Sequence, residues 1–486
     1  MEEEIVKKRA LKSVIWKFLE RFGAQIVSLI VSIIIARIFS PEDYSVVSFV
    51  TIFFVFADVL ITGGFNTALM QKKDVDEEDY SVVLYLSLFI SIIVYFILFF
   101  TAPLIAKLYK LDTLVLVIRI MGLVLPITAI KSIWCAYISS QLLFKKFFFA
   151  TIIGTVISGV VGIVMAIKGY GYWSLVAQQM INTIIDTSIL ILTTRINLVV
   201  KPSFSRLKVL FNYGWKILVS SLIATIYSQI VPLIIGIRYS KADLAFYTKA
   251  KSFPDLVVGS TTSTFAAVLF PTLAKFQDDD SALLRYTRYF INISSFIAFP
   301  LMLGLFAVSD NFISIILTDK WLPAVPFMRI FCLASMFEMI HVGNCETIKA
   351  KGRSDVYLIM EIIKKSLYFI TIGFFVFFAK DAYDLAFYTV VCTIIALIVN
   401  SIPNRKMLKY NYGSQLKDIL PSLISALIMA ICVLLIGKIN INKILLLFIQ
   451  VISGIFIYLI INIIIKNKSL TYLFNFIKKR DKKCKD

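Results

Sequence analysis

Histidine is almost absent from this chain, and its cysteines show no metal-binding or disulfide pattern. His341 is the only histidine among 486 residues, which excludes a His-rich metal site. The six cysteines have no CxxC spacing and five of them lie inside apolar stretches, so free thiols are expected, with no metal and no cofactor. The first apolar run is too long for a cleavable signal peptide, and no small-residue cleavage site follows it.

Charged residues are also scarce, at 16% of the chain, whereas 59% of the residues are hydrophobic and the mean hydropathy is +0.86. No soluble fold of this length could bury so much apolar surface, but lipid can solvate it. The formal net charge is +20. This charge lies in short loops between apolar runs, so it indicates membrane topology and not a nucleic-acid partner.

The apolar runs have the length of membrane-spanning helices, because a bilayer core takes about twenty apolar residues per helix. The connections between them are short and leave no room for a soluble domain. The sequence therefore predicts an all-α, polytopic membrane protein of about fourteen transmembrane helices. The predicted helices are 11–38, 42–68, 80–107, 113–142, 147–167, 172–197, 206–238, 242–272, 283–308, 322–349, 355–379, 383–404, 416–437 and 443–466.

Lysine and arginine are much more frequent in one set of alternate loops than in the other. The rich set includes the N-terminal segment with Lys7 and Arg9, the stretches 195–208 and 405–417, and the tail from Lys478. Basic loops stay in the cytoplasm during insertion. Both termini are therefore predicted to be cytoplasmic.

A faint internal repeat occurs at an offset of 200 residues. Ile35-Ala36 followed by Phe39-Ser40-Pro41-Glu42-Asp43 parallels Ile235-Gly236 followed by Tyr239-Ser240-Lys241-Ala242-Asp243. The two segments end the first and seventh predicted helices, which predicts two homologous six-helix lobes related by an axis along the membrane normal. The predicted division is 1–200, 201–412, and 413–486 with two further helices and a basic tail.

Several cations lie within the predicted helices, where a charge is costly unless it faces a cavity or a partner. Arg21 and Gln25 share one face of the first helix with Ser28 and Ser32, which predicts a wet surface there, although Arg21 could instead reach the cytoplasmic interface. The other candidates for binding a substrate are Lys249 and Lys251 in the eighth helix, Lys131, the deepest cation, and Lys216, ranked lower because it lies off the polar stripe of its helix. Lys251 could simply pair with Asp255. A cationic interior would suit an anionic headgroup such as a diphosphate-linked sugar.

Acidic and imidazole groups also fall near the predicted midplane. Asp58 lies in the second helix, and Glu338 and His341 are three residues apart in the tenth. Such groups can bind the proton or cation that drives transport, or they can form an interhelical hydrogen bond. The sequence leaves both alternatives open.

An ordered set of motifs runs over roughly residues 20–355. They are 35–44 (Ile35 to Tyr44), Phe56-Ala57-Asp58, 64–74 (Gly64 to Asp74), Phe144-Lys145-Lys146, 169–178 (Gly169 to Gln178), Ile234-Ile235-Gly236, Tyr247-Thr248-Lys249-Ala250, Leu269-Phe270-Pro271, Lys320-Trp321 and Gly352-Arg353. With these motifs the chain resembles the Wzx-type polysaccharide flippases of the multidrug/oligosaccharidyl-lipid/polysaccharide exporter superfamily, and most of all their colanic-acid and lipopolysaccharide exporters. It departs from the family pattern at Ser45, Ala245 and Asp319, where glycine is usual, which puts loop geometry in doubt and not the fold.

The resemblance implies two six-helix bundles around a central cavity, with helices thirteen and fourteen packed outside. It implies a flippase in the bacterial inner membrane that moves undecaprenyl-diphosphate-linked oligosaccharide by alternating access, in association with membrane lipids and polysaccharide polymerase machinery. A lipid II flippase and a cation-coupled drug antiporter of the same superfamily remain alternatives. A membrane glycosyltransferase, ligase or polymerase is disfavoured, because the loops are too short to carry its chemistry.

Overall fold

The fold was obtained as a computed structural model that describes residues 2–71, 75–141, 143–198, 204–467 and 469–470. Side chains are not described in parts of the first helix, at the start of α9 and in the second half of α10, and the predicted basic tail lies outside the described residues. The helices are α1 (Glu2–Ile38), α2 (Pro41–Thr62), α3 (Phe65–Gln71), α4 (Glu77–Tyr109), α5 (Thr113–Gly122), α6 (Val124–Ser140), α7 (Phe144–Ile167), α8 (Trp173–Thr193), α9 (Phe204–Arg238), α10 (Lys241–Ala274), α11 (Asp280–Leu317), α12 (Ala324–Ser335), α13 (Glu338–Ala350), α14 (Ser354–Phe378), α15 (Ala382–Leu408), α16 (Tyr412–Ile436) and α17 (Lys443–Ile464).

The predicted all-α polytopic fold is confirmed. If the short α3 is set aside and the pairs α5–α6 and α12–α13 are each counted as one broken span, the described chain has the fourteen predicted helices. Eleven stretches within the described residues are long and apolar enough to cross a membrane. In α14, Glu361, Lys364 and Lys365 interrupt the apolar stretch.

Three predicted helices are broken in the structure. The prediction of one helix over 42–68 is wrong at its end, because the chain turns at Gly63-Gly64 between α2 and α3. A Cβ atom on Gly64 would lie 2.1 Å from the carbonyl oxygen of Gly214, so only glycine permits this approach of α9. The fourth helix breaks at Leu123 and the tenth at Met336-Phe337.

Matching caps start α2 and α10, the helices that begin within the two segments of the sequence repeat. The Asp43 amide donates to Ser40 Oγ at 3.2 Å and the Ser40 hydroxyl donates to the Asp43 carboxylate at 2.8 Å. Ser240 and Asp243 make the same two contacts, at 3.1 and 2.7 Å. The serine satisfies an amide that helix geometry leaves unpaired. The repeat therefore extends from sequence to local structure.

The chain divides into two compact units, residues 1–245 and 246–486. In unit 1, α1 packs along α7, α7 along α8, and α9 against α2, α3 and α4. The contact of α9 with these helices places it in unit 1, whereas the predicted first lobe ends at residue 200. The predicted lobes describe repeats and not contact density, so that division stays a prediction.

Unit 2 is built around α11, which packs against α12, α13, α16 and α17. Polar side chains eight residues apart on α17 hold this helix in place. Gln450 accepts from Asn311 at 2.9 Å and donates to the Val433 carbonyl, and the Tyr458 hydroxyl donates to the Phe296 carbonyl at 2.8 Å. Buried in an apolar helix, such groups need partners, and α11 and α16 supply them.

Candidate functional site

Unit 1 contains a cluster of three charges on three helices. Lys131 of α6 forms an ion pair with Asp186 of α8, whose side chain is 5% exposed while that of Lys131 is 28% exposed. Asp58 of α2 attracts the same ammonium group. One lysine therefore lies between two carboxylates, and the cluster carries a net charge of −1 if all three groups are ionised.

Close helix packing positions Asp186 within this cluster. A Cβ atom added at Gly154 of α7 would lie 3.4 Å from the Cβ atom of Asp186, so α7 and α8 pack closely beside this carboxylate. The second carboxylate oxygen of Asp186 is buried and has no hydrogen-bond partner among the described residues. A buried acceptor of this kind can take a proton, a water molecule or a cation.

The other predicted binding residues of unit 1 lie apart from this cluster or are not described. Lys216 is exposed on α9, and Gln25 is half-buried on α1. The side chain of Arg21 is not among those that the structure describes. The roles predicted for Arg21, Gln25, Lys131 and Lys216 in substrate binding stay predictions.

The break in the tenth span positions the acid and the imidazole of unit 2. Glu338 is the first residue of α13 and His341 follows on its first turn. The N-terminus of a helix favours a carboxylate. His341 is 7% exposed, and neither of its ring nitrogens has a hydrogen-bond partner among the described residues. Glu338, by contrast, is exposed.

These two residues belong to a larger cluster that includes α10 and α14. Glu338 is attracted by Lys364 of α14 and repelled by Asp255 of α10. Asp255 in turn is attracted by Lys251. The structure therefore brings the predicted substrate residue Lys251 and the predicted coupling residues Glu338 and His341 into one electrostatic network.

Lys249 lies six residues before Asp255 on α10 and is 2% exposed. Its neighbours Tyr247 and Ala250 are buried as well, and Tyr247 packs edge-on against Phe331 at 4.9 Å. The Ser252 hydroxyl donates to the Lys249 carbonyl. Lys249 is thus part of the interior of unit 2, as expected for a cation that does not face lipid.

Sequence reasoning missed the contribution of α14. Lys364 is buried, forms an ion pair with Glu361 on the preceding turn, and acts electrostatically on both Glu338 and His341. The signal was present, because Glu361 and Lys364 interrupt an apolar run six residues into the helix. Within the described residues, no group of three or more His, Cys, Asp or Glu side chains could hold a metal ion.

Arginines anchor the first halves of both broken spans. The Arg119 guanidinium lies 4.2 Å from the centre of the Phe99 ring and donates to the Phe99 carbonyl. The Arg329 guanidinium likewise packs on the Phe306 ring and donates to the Phe306 carbonyl, and it also forms an ion pair with Asp310. Both residues attach a half-helix to the long helix before it, so their role is structural.

Charge clusters within bundled apolar helices define a polytopic membrane protein that handles polar groups inside the bilayer. Its fold is that of solved transporters. The structure of lipid II flippase MurJ in an inward closed conformation matches 93% of this chain and 98% of its own at a TM-score of 0.76 and 17% identity. An inward-facing multidrug resistance MATE family transporter matches 80% of this chain and 94% of its own, at a TM-score of 0.56 and 14% identity.

Residues 34–326 match the polysaccharide biosynthesis protein family, and the chain belongs to that family. Three relatives are 24%, 24% and 23% identical. They are an uncharacterized membrane protein in the cps region of Klebsiella pneumoniae (76% of this chain, 77% of the relative), the teichuronic acid biosynthesis protein TuaB of Bacillus subtilis (62% and 63%), and the succinoglycan biosynthesis transport protein ExoT of Rhizobium meliloti (69% and 68%). The family resemblance drawn from the ordered motifs is confirmed.

Proposed function

We propose that this protein is a flippase that moves undecaprenyl-diphosphate-linked oligosaccharide repeat units across the bacterial inner membrane by alternating access. The product of this step feeds the assembly of a surface polysaccharide such as O-antigen, capsule or exopolysaccharide. The protein is a transporter and performs no chemistry on the glycan. Both termini are cytoplasmic in this proposal, and polymerase machinery takes up the flipped unit.

The observation that carries the proposal is membership of the polysaccharide biosynthesis protein family over residues 34–326. A relative in Rhizobium meliloti is named as a succinoglycan biosynthesis transport protein. The fold supports a transporter, since it matches solved transporters over most of the chain. The likeness to MurJ concerns fold, at 17% identity, so it does not favour lipid II as the substrate.

The lysines within the two charge clusters are the groups that would meet an anionic headgroup in this proposal. A diphosphate needs cationic partners wherever lipid surrounds it. In this proposal Arg21, Gln25, Lys216, Lys249, Lys251 and Lys131 serve the headgroup. Lys131 does so from within its ion pair, which the headgroup would have to loosen.

In this proposal Asp58 in unit 1, and Glu338 with His341 in unit 2, are the groups that bind the coupling proton or cation. His341 supports this role because it is buried with both ring nitrogens unpartnered among the described residues. Glu338 supports it because it is exposed and borders on both a lysine and an aspartate. Binding of one positive charge here would change the balance of the unit 2 cluster.

The first test is complementation of a flippase-null strain with Arg21→Ala and Lys249→Met. Lysine and methionine have similar length, so the second variant removes charge and keeps most of the volume. We expect both variants to lose surface polysaccharide at normal expression, while the exposed control Lys168→Ala restores it. Full restoration by both variants would remove these residues from the binding role.

The second test uses purified protein in liposomes that contain a lipid-linked oligosaccharide on one leaflet. We expect the glycan to appear on the other leaflet chemically unchanged. Movement of lipid II alone would support a peptidoglycan role instead, and a chemically altered glycan would show an enzyme. Collapsing the proton and sodium gradients in turn identifies the coupling ion. Dependence on neither gradient would end the coupling assignment.

A further inference from the structure

A basic cavity lies in unit 2 where α15 ends and α16 begins. Its volume is about 710 Å³. Three of its six lining residues are cationic and none is acidic. The lining consists of Ile402, Arg405, Lys406, Lys409, Asn411 and Tyr412. This cavity is separate from the cluster around Glu338 and His341, and the proposed transport function assigns no role to it.

The three cations of the cavity lack the partners that neutralise other cations nearby. Arg288 forms a bidentate pair with Asp418 at 2.7 Å, and Lys351 pairs with Asp280. No carboxylate among the described residues is within ion-pair distance of Arg405, Lys406 or Lys409. Their uncompensated charges form a site for an anion.

A carboxylate on the first turns of α16 is held by other partners. Asp418 accepts from two Arg288 nitrogens and from the Tyr410 hydroxyl at 2.7 Å. These three bonds hold Asp418 to Arg288 and Tyr410. The three basic side chains are exposed, so an external anion can reach them.

Buried hydrogen bonds keep the cavity in shape. Asn404, one residue before the first of the three cations, donates to Asn344 Oδ1 at 2.7 Å. Gln415 donates to the Tyr410 carbonyl at 3.3 Å and accepts from Ser401 at 3.0 Å. These contacts connect α13, α15 and α16, so the spacing of the cations does not depend on a loose loop.

An apolar strip leads away from the cavity along the same two helices. Ile394, Ile398 and Ile402 are exposed at steps of four on α15, and Leu416 and Leu420 are exposed on α16. The Tyr412 hydroxyl donates to the Ile398 carbonyl at 2.9 Å, which joins the two helices at the boundary between cavity and strip. A basic cavity next to an apolar strip fits an amphiphile with a charged headgroup. The aromatic ring of Tyr412 lies at the boundary between cavity and strip.

We propose that this cavity and strip bind an anionic phospholipid, with the phosphate head against Arg405, Lys406 and Lys409 and the acyl chains along Ile394, Ile398 and Ile402. The occupant is a glycerophospholipid of the bilayer, since the head site is open at the surface and the strip faces outward. The same chemistry is present in a polyprenyl diphosphate, and the experiment separates these sources.

The test is native mass spectrometry of the purified full-length protein titrated with phosphatidylglycerol or phosphatidylcholine. Each basic residue beside an anionic headgroup contributes roughly fivefold to binding. We therefore expect the wild type to prefer phosphatidylglycerol, and Arg405→Gln/Lys406→Gln/Lys409→Gln to lose about a hundredfold in its affinity. The matched control is Lys417→Gln, an exposed lysine outside the cavity lining, which should keep full affinity.

The charge-retaining variant Arg405→Lys/Lys406→Arg/Lys409→Arg should also keep the preference, which guards against a folding defect in the first variant. Unchanged phosphatidylglycerol binding by the triple Gln variant would overturn the proposal. Displacement of the lipid by an equal concentration of inorganic phosphate would overturn the part played by the apolar strip. Displacement by a polyprenyl diphosphate, with loss of transport in the triple Gln variant, would replace the phospholipid with the transported carrier.

Discussion

The two units place different groups at corresponding positions of their broken spans. Lys131 follows Arg119 by twelve residues, as His341 follows Arg329. Asp186 and Ala396 also occupy corresponding positions. Thr194, eight residues after Asp186, bonds to Trp134 of the broken span in unit 1, and Asn404, eight residues after Ala396, bonds to Asn344 of the broken span in unit 2. Unit 1 thus has an ion pair where unit 2 has an alanine and a histidine whose ring nitrogens have no hydrogen-bond partner among the described residues.

The difference shows how one scaffold can carry two kinds of site. The caps at Ser40 and Ser240 and the hydroxyl contacts Tyr80–Ser140 (2.9 Å) and Thr287–Thr347 (2.8 Å) fix the shared frame. With the frame fixed, a carboxylate on the neighbouring helix decides whether a basic group is neutralised. Unit 1 pairs Lys131 with a carboxylate, whereas the ring nitrogens of the buried histidine in unit 2 have no hydrogen-bond partner among the described residues.

The strongest way to break the comparison is to convert unit 2 into unit 1. His341→Lys should destabilise the protein by about 4 kcal/mol, because the ammonium would be buried and repelled by Lys364. Adding Ala396→Asp should recover much of this loss by supplying the carboxylate. Thermal unfolding in detergent measures both steps. Equal stability of the single and double variants would show that positions 341 and 396 are not counterparts of the unit 1 pair.

The reverse change removes the ion pair of unit 1. Lys131→Met should cost about 3 kcal/mol, because it strands the buried Asp186 carboxylate, and Lys131→Met/Asp186→Asn should be more stable than the single variant. The exposed Lys168→Met serves as the control and should stay within about 0.5 kcal/mol of the wild type. A single variant as stable as the double would mean that a bound proton or water, and not Lys131, compensates the Asp186 carboxylate.

A third prediction concerns transport and not stability. Glu338→Gln should reduce the transport rate about tenfold, the effect of losing roughly 1.4 kcal/mol from one charge-assisted contact. Its melting temperature should hardly change, because Glu338 is exposed. Liposome transport and thermal unfolding are measured on the same preparation. A matching loss of stability would point to a packing role.

The shared frame can be tested at the two caps. Ser40→Ala and Ser240→Ala should each cost about 1 kcal/mol, because each removes one hydroxyl that accepts from an aspartate amide. The two losses should be alike and should add in the double variant, since the serines do not contact each other. Unfolding of the three variants provides the measurement. A clear difference between the single variants would mean that the repeat is one of sequence and not of local structure.

The smallest effect is expected outside the membrane, at the start of α4. Arg206 pairs with Asp76 and lowers the pKa of that carboxyl to about 2. The pair therefore stabilises the fold above the ordinary aspartate pKa, and its contribution disappears as pH falls from about 4 to about 2. Arg206→Gln should lower stability only slightly, because exposed ion pairs contribute little. The gap to wild type should be constant from about pH 5 to 8, and a gap that varies in this range would assign it to another group.

The sequence predicted the helices well because each one is an apolar run of bilayer length, but it did not show where they break. Leu123 and Met336 look like ordinary apolar residues in the sequence. The structure alone shows that the Tyr95 ring occupies the space beside Gly122, the last residue of α5. Trp134 lies mid-helix, and only the structure shows its indole donating to the Thr194 carbonyl.

The candidate site was predicted less completely than the fold. Charges at Asp58, Lys131 and Glu338 stood out against apolar surroundings, and all three lie in clusters. Their partners could not be predicted, because Asp186 is 55 residues from Lys131 and pairs with it only through the packing of α6 on α8. Periodicity places a residue on a face, whereas partnership depends on which helix lies opposite.

The polar groups on one face of α17 have a mechanical consequence. Gln450 bonds to α11 and α16, and Tyr458 bonds to α11. Sliding this helix by a fraction of a turn would break these bonds at once in an environment without water to replace them. Helix α17 therefore resists sliding along its axis. When other parts of unit 2 rearrange, α11, α16 and α17 must move together as one rigid group.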